Sequence, residues 1–258
     1  MKITCLAENT AVSDNFRCEH GLSLFIETGM HRILFDMGQT ELFAENAEKL
    51  GIDLASADIA VLSHGHYDHG GGLARFLELN RTAPVYLSRF AFEPHYNGTQ
   101  KYIGLDTALS GHPRLVFTED VTVIGDGMTL YSCNSSPKKY DLGSFGLNMV
   151  EDSAFVPDDF RHEQYLLIEE NGRRILFSGC SHKGVMDIAD WFEPDVLIGG
   201  FHFSKLPLDD TLTEYARILN SHAADYYTCH CTGTEAFDHM ARHMERLHRL
   251  STGQTLIL

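Results

Sequence analysis

The chain has 258 residues, of which 43% are hydrophobic, and 36 acidic against 20 basic residues give it a formal charge of −16. This is the composition of an ordinary globular protein with enough apolar side chains for a sizeable core. The acidic surface would repel a phosphate backbone, which argues against broad nucleic-acid binding. It still admits one small anion at a local positive site, such as a bound metal ion.

The sequence also argues against a membrane protein. The amino terminus has no apolar segment of signal-peptide length, and no stretch is long enough to span a bilayer. Six cysteines are scattered without a CxxC pair, as expected of reduced thiols in a cytosolic protein. We therefore expect a cytoplasmic protein whose partner is a small anionic substrate, not nucleic acid or a membrane.

The first half of the chain alternates short apolar runs with turns and helical patterns. In chain order these patterns predict strands at 3–6, 22–26 and 32–36, a helix at 40–50, a strand at 59–63, a helix at 73–79 and a strand at 84–87. The last three elements read as a βαβ unit, the usual connection between parallel strands. Shorter strands are predicted at 115–117, 121–124 and 128–132.

Residues 134–159 are polar and are predicted to form a long loop, a feature that often borders an active site. The earlier rhythm then resumes, with strands at 164–169, 174–177, 196–200 and 226–228 and helices at 211–219 and 234–247. No linker rich in Pro, Gly or Ser separates the two halves. Residues 1–258 are therefore predicted to form one α/β domain, with two packed β-sheets flanked by helices.

The segment from Ser63 to His69 reads SHGHYDH and carries the strongest chemical signal. Imidazole and carboxylate are the preferred ligands of zinc and similar divalent ions. Residues two apart on an extended chain point the same way, so His64 and His66 can bind one ion. Asp68 and His69 follow where the chain turns, and they can face a second ion. A surface loop with chance histidines is disfavoured by this density of ligands.

This HxHxDH motif resembles the signature of the metallo-β-lactamase superfamily, and the resemblance extends over nearly the whole chain. Residues 33–39 look like the family's strand that ends in an Asp-x-Gly turn, and residues 174–180 look like its later strand ending in Ser/Thr-Gly-Asp, with Cys180 at the Asp position. Residues 229–233 supply its final histidine. The resemblance implies an αββα sandwich with the metal site at one edge of the two sheets.

Four shorter segments narrow the resemblance: residues 19–23, 179–182, 200–202 and 230–233. Together they are similar to one branch of the superfamily, whose members resemble 7,8-dihydropterin-6-methyl-4-(β-D-ribofuranosyl)aminobenzene-5′-phosphate synthase. This resemblance implies a substrate with a diphosphate leaving group.

The third ligand of the first ion is the point at which the sequence departs from the family. Most members carry a metal-binding histidine before the strand that precedes the Gly-Asp turn, where this chain offers His162. We prefer His182, because it follows the strand end beside Cys180, whereas His162 lies in a charged segment. Cys180 is either a metal-binding thiolate or a small buried residue at a tight turn. Strand alternation would point Cys231 away from its neighbour, the predicted ligand His230.

Seven side chains are therefore predicted to surround two divalent ions: His64, His66 and His182 on one, Asp68, His69 and His230 on the other, and Cys180 beside the second. A hydroxide between the ions would be the nucleophile, with Asp68 in the catalytic group. Zinc is the predicted metal, and manganese and iron are alternatives.

Other side chains are predicted to act around the ions. His20, His202 and Asn9 are candidates to contact substrate, and His202 is also a candidate general acid. His20 and His202 have an alternative role, in which they orient a ligand or a loop. Asp36 is expected to anchor the site through hydrogen bonds without touching metal.

The leading hypothesis for function is hydrolysis or transfer at a small phosphate ester or diphosphate. One alternative is hydrolysis of an acyl ester, lactone or lactam at the same site. Another is a ligand-binding sensor with little turnover. A di-iron redox role is disfavoured, because relatives of this fold with that chemistry carry Glu where this chain has His66, and no flavin-binding segment is present.

Overall fold

The computed structural model describes all 258 residues, and each strand belongs to one of three sheets. The first nine strands are β1 (Lys2–Ala7), β2 (Ser23–Glu27), β3 (Arg32–Phe35), β4 (Ile59–Val61), β5 (Val85–Ser88), β6 (His95–Asn97), β7 (Lys101–Tyr102), β8 (Leu115–Thr118) and β9 (Val121–Gly125). The next nine are β10 (Met128–Tyr131), β11 (Leu147–Glu151), β12 (Ala154–Pro157), β13 (Tyr165–Glu170), β14 (Arg173–Phe177), β15 (Val196–Gly199), β16 (Asp225–Thr228), β17 (Leu247–Arg249) and β18 (Thr255–Ile257).

Six α-helices complete the regular structure: α1 (Leu42–Lys49), α2 (Tyr67–Gly70), α3 (Leu73–Leu79), α4 (Val185–Phe192), α5 (Asp210–Asn220) and α6 (Thr234–Met240). The two large sheets have seven strands each, in the orders β18-β1-β2-β3-β4-β5-β8 and β17-β16-β15-β14-β13-β10-β9. Both sheets are mixed. In each, a run of parallel strands continues into antiparallel ones.

The two large sheets pack face to face through side chains that alternate along their strands. Ile33 and Phe35 of β3 share one cluster of 20 buried residues with Ile175 and Phe177 of β14. The rings of Phe35 and Phe177 lie 5.8 Å apart, directly across the interface. Since side chains along a strand alternate between faces, the residues between these positions point outward.

The outward residues are covered by helices. Leu34 of β3 packs in a cluster with Phe43 of α1 and Phe76 of α3. On the other sheet Leu176 packs with Ile188 of α4 and with residues of α5. This order of helix, sheet, sheet and helix confirms the predicted αββα sandwich. None of the helices combines the length and apolar character needed to cross a membrane.

A third sheet was not anticipated. Its strand order is β12-β11-β6-β7, all antiparallel, and β11 and β12 lie within residues 134–159, for which the prediction of a continuous loop was wrong. The turn between them runs through Asp152 and Ser153, with φ of 49° and 65°. Tight hairpin turns with two residues at positive φ usually have the sequence Asn-Gly or Asp-Gly. Asp-Ser gives no such signal.

The predicted helix at 234–247 is also shorter than expected. It ends at Met240, and Leu247 begins β17, which pairs with β16 in parallel. Met240 and Met244 pack in the same cluster, with Leu247 against it, although only Met240 is helical. The apolar spacing therefore predicted that Met240, Met244 and Leu247 pack together, but it did not predict where the helix ends.

Candidate metal centre

The predicted ligands follow the carboxyl ends of parallel strands. His64 comes after β4 in the first large sheet, and Cys180 and His230 come after β14 and β16 in the second. Parallel neighbours end at the same edge of a sheet, where α/β proteins collect their ligands. The two edges meet here, because Sγ of Cys180 lies 3.2 Å from Nε2 of His69.

A buried carboxylate, Asp36, fixes the orientation of two histidines. Its Oδ1 accepts the backbone N–H of Ser63 at 2.7 Å, and its Oδ2 accepts the Ser63 hydroxyl at 2.7 Å and lies 2.6 Å from Nδ1 of His69. An ionised carboxylate only accepts, so the Ser63 hydroxyl and Nδ1 of His69 are donors. The Ser63 oxygen in turn accepts Nδ1–H of His64 at 2.8 Å. Both rings therefore keep the lone pair on Nε2 free for a ligand.

His230 is oriented from the opposite side. Its Nδ1 lies 2.8 Å from Oδ1 of Asn9, and this amide oxygen also accepts the backbone N–H of Gly21. Nε2 of His230 is thereby directed to the carboxylate of Asp68, 3.4 Å away. Asn9 was predicted to contact substrate, but it is not among the residues that line the pocket around these ligands. Its contacts make it an orienting residue for His230.

Several nitrogen atoms of this cluster are fully buried and have no hydrogen-bond partner. Among these atoms are Nε2 of His64 and of His230 and both ring nitrogens of His182. A buried polar atom without a partner is costly, so the arrangement calls for an additional group. One ligand atom from each of His64, His66 and His182 lies within 4.8 Å of the others, and the same holds for His64, His69 and Cys180. These residues fit divalent metal ions.

The local electrostatics keep three of the predicted ligands, His64, His182 and Asp68, in their metal-binding forms. Burial, followed by the neighbouring histidines, lowers the pKa of His64 well below its usual value, and burial likewise lowers the pKa of His182. Both rings are therefore neutral near pH 7, as a metal ligand must be. Burial alone would raise the pKa of Asp68. The neighbouring rings of His20 and His230 outweigh this effect, so the pKa of Asp68 is well below its usual range.

His182 and His162, the two candidates for the third ligand of the first ion, differ in their surroundings. The ring centroid of His182 lies 5.0 Å from those of both His64 and His66, and its ring stacks on Phe160 at 4.6 Å. Nδ1 of His162 instead accepts the backbone N–H of Gly65 at 2.9 Å, and its ring does not line the pocket. This placement favours His182 as the third ligand of the first ion, as proposed below.

The prediction that Cys231 points away from His230 was wrong. Residues His230–Thr232 form a single 3₁₀ turn, so strand alternation does not apply to them. Sγ of Cys231 accepts the backbone N–H of His202 at 3.2 Å, and Cys231 offers a ligand atom within 4.8 Å of those of Cys180 and His230. A second thiol therefore belongs to this cluster.

Backbone strain accompanies the cluster. Four non-glycine residues adopt left-handed φ between 50° and 58° just after strand ends: Asp36, Ser181, His202 and His230. Such conformations are costly for residues with a Cβ and tend to occur where function requires them. No residue type in the sequence signals them.

Five of the predicted ligands line a pocket with about 610 Å³ of space: His66, Asp68, Cys180, His182 and His230. His20 and His202, both predicted near substrate, line it. Nε2 of His20 lies 3.2 Å from Asp68, and the ring of His202 lies 4.4 Å from that of His182. Lys101 and Lys205 also line the pocket. Sequence reasoning missed them; only the position of Lys205, three residues after His202, offered a signal.

An αββα sandwich with histidine, aspartate and cysteine side chains gathered at one sheet edge is the architecture of metal-dependent hydrolases. The chain belongs to the metallo-β-lactamase superfamily, whose sequence profile matches residues 17–221. The solved structure of Tm1679, described as a metal-dependent hydrolase of the β-lactamase superfamily, is 30% identical, with a TM-score of 0.84 over 100% of this chain and 99% of that one.

Two proteins of Methanocaldococcus jannaschii are also similar. The first is 7,8-dihydropterin-6-methyl-4-(β-D-ribofuranosyl)-aminobenzene-5′-phosphate synthase, 28% identical over an alignment of 285 positions that spans 96% of this chain and 94% of the synthase. The second, an uncharacterized protein, is 28% identical over 249 residues, which cover 93% of this chain and 94% of that protein. The predicted family and the similarity to the synthase branch are confirmed.

Asp36→Asn tests the role of the buried carboxylate. The amide N–H of the variant is a donor placed where the wild-type carboxylate accepts from Ser63 and His69. The proton positions of His64 and His69 are therefore no longer fixed. Zinc affinity is expected to fall about 10- to 100-fold, as for other outer partners of metal ligands. Competition with a chromophoric chelator measures it, and circular dichroism verifies folding. Asp126→Asn, at an exposed turn, should bind zinc as the wild type does. Equal affinity in Asp36→Asn and wild type would contradict the assignment.

Proposed function

We propose that the chain is a metal-dependent hydrolase or transferase that acts on a small phosphate ester or diphosphate. The observation that carries this proposal is the presence of two lysines, Lys101 and Lys205, in the lining of the histidine-rich pocket. The chain as a whole carries a charge of −16. Two ammonium groups beside metal ligands make this pocket a local positive site that favours phosphate oxygens.

The proposed centre holds two divalent ions, with zinc preferred for this mixture of imidazole, carboxylate and thiol ligands and manganese or iron as alternatives. The proposed ligands are His64, His66 and His182 for one ion and Asp68, His69 and His230 for the other, with Cys180 beside the second. When bound, such ions stabilise negative charge on the attacked group and make water a stronger nucleophile at neutral pH. Since the ligands span most of the chain, we treat residues 1–258 as one domain.

The surrounding side chains have separate tasks in this proposal. Lys101 donates from Nζ to the Tyr67 hydroxyl at 3.1 Å, which holds the ammonium group at the pocket. The contact between His20 and Asp68 keeps the carboxylate in place as a ligand and proton acceptor. His202 is half-buried in the lining, where its ring can deliver a proton to a leaving-group oxygen.

The synthase relative supports the same substrate class. Its name describes a compound that bears a ribofuranosyl 5′-phosphate. A phosphate-bearing substrate for this chain agrees both with that name and with the two lysines.

A substrate panel tests the reaction class. The zinc- or manganese-loaded chain is assayed with p-nitrophenyl phosphate, bis-p-nitrophenyl phosphate, a thioester and a lactone. We expect turnover of the phosphate esters. Lys101→Ala and Lys205→Ala should each raise KM about tenfold, because each removes a charged hydrogen bond. Lys2→Ala removes a charge paired with Glu27 outside the pocket and should leave KM unchanged. Turnover confined to the thioester or lactone, or ligand binding without turnover, would defeat the proposal.

His202→Ala tests the proposed general acid. Turnover is expected to fall about 10²- to 10⁴-fold if His202 transfers a proton. Bound metal and melting temperature should remain near wild type. A lower melting temperature with unchanged turnover per folded molecule would make His202 a structural residue. Loss of metal would instead make it a ligand, which its proximity to Cys180 and His182 also allows.

A further inference from the structure

A second buried polar cluster adjoins the metal-binding turn. It consists of His95, Asp158 and His162, none of which lines the pocket. All three side chains are almost completely buried. The ring of His162 lies 3.9 Å from that of His95 and 4.9 Å from that of His66, which does line the pocket. The chemistry proposed above uses none of the three residues.

The hydrogen bonds of the cluster fix its protons. Oδ2 of Asp158 lies 2.7 Å from Nδ1 of His95, and a carboxylate only accepts, so His95 carries its proton on Nδ1. Nδ1 of His162 accepts the backbone N–H of Gly65, so His162 carries its proton on Nε2, 3.5 Å from Asp158. Nε2 of His95 and Nε2 of His162 are both buried without a hydrogen-bond partner, and on His95 this atom carries a lone pair.

These protons argue against a metal ion inside the cluster, although its donor atoms and those of His66 lie within 4.8 Å of one another. An ion on Nε2 of His162 would have to displace its proton while Nδ1 still accepted the Gly65 N–H. That ring would then have no proton at all. A metal-binding imidazole carries a proton on its other ring nitrogen, and this proton requires an acceptor. The unpartnered lone pair of His95 can be that acceptor.

His66 is a predicted metal ligand that requires such an acceptor. It lines the pocket, yet its Nε2 is fully buried and has no partner. The ring centroids of His66 and His95 lie 5.5 Å apart in an edge-to-face arrangement. A ring nitrogen of His66 also lies within 4.8 Å of one of His95, so His66 is placed to donate Nε2–H to the lone pair of His95.

We propose that Asp158, acting through His95 and His162, positions the metal-binding turn. This inference rests on the metal centre proposed above. His162 holds the backbone between His64 and His66 through the Gly65 N–H, and His95 accepts the proton of His66. The turn has little freedom in its other direction, because a Cβ on Gly65 would lie 2.2 Å from the carbonyl oxygen of Ala91. Asp158 thus does for His66 and its backbone what Asp36 does for His64 and His69.

Paired substitutions at His95 test the relay. His95→Leu fills the volume but can neither accept from His66 nor donate to Asp158. Its zinc affinity is expected to fall about 10- to 100-fold. His95→Gln has an amide oxygen to accept and an N–H to donate, and it should recover most of that loss. His248→Leu, at a half-exposed histidine outside the pocket, controls for loss of an imidazole. Chelator competition measures affinity, and circular dichroism verifies the fold of each variant.

Equal zinc affinity in His95→Leu and wild type would overturn the proposal, as would equal losses in His95→Leu and His95→Gln at the same melting temperature. Loss of one whole zinc equivalent from His95→Leu, with the remaining zinc bound as in wild type, would also overturn it, because His95 would then be a ligand.

The proton positions provide a test that does not depend on metal binding. Nitrogen-15 NMR of the metal-free chain should show His95 protonated on Nδ1 and His162 on Nε2. The zinc-loaded chain should add a hydrogen-bonded proton on Nε2 of His66. His95 protonated on Nε2 would refute the relay directly. If the chain bound no zinc at all but the metal-free spectrum were as described, the metal centre would fail while the proton assignment of the cluster stood.

Discussion

The carboxylate of Asp36 is completely buried, and a buried charge persists in a protein only when hydrogen bonds satisfy it. Here the donors are the backbone and hydroxyl of Ser63 and the ring of His69. These contacts join the end of β3 to the end of β4 and to α2. They also decide which nitrogen of His64 and His69 carries a proton. The geometry of the proposed metal centre depends on this one acceptor.

The two large sheets supply the rest of the centre by the same principle. Each ends its parallel strands at the shared edge, and the side chains just past those ends converge. Short left-handed segments at Ser181, His202 and His230 turn the backbone there. The packed core of the two sheets, where Phe35 and Phe177 lie in contact, offsets the free-energy cost of these conformations. A rigid core thus permits a strained and polar edge.

Much of this arrangement was predictable from the sequence. The HxHxDH motif and the apolar runs carry periodic, local signals, so the sandwich and the proximity of His64 to His66 followed from spacing. The third sheet did not, because its Asp152-Ser153 turn lacks glycine. Cys231 was misjudged because the chain leaves its strand before Cys229 and turns within three residues. Lys101 lies in the hairpin of β6 and β7, which joins the third sheet through the pairing of β6 with β11, a long-range contact that no local pattern records.

The proposed centre depends above all on Asp36 and Ser63, which leave Nε2 of His64 and His69 free to bind metal. Diffraction from zinc-loaded crystals, recorded on both sides of the zinc absorption edge, tests it most directly. We predict two anomalous peaks in the pocket, one bonded to Nε2 of His64 and the other to Nε2 of His69. A zinc ion bonded to Nδ1 of either ring, or a pocket without an anomalous peak, would contradict it.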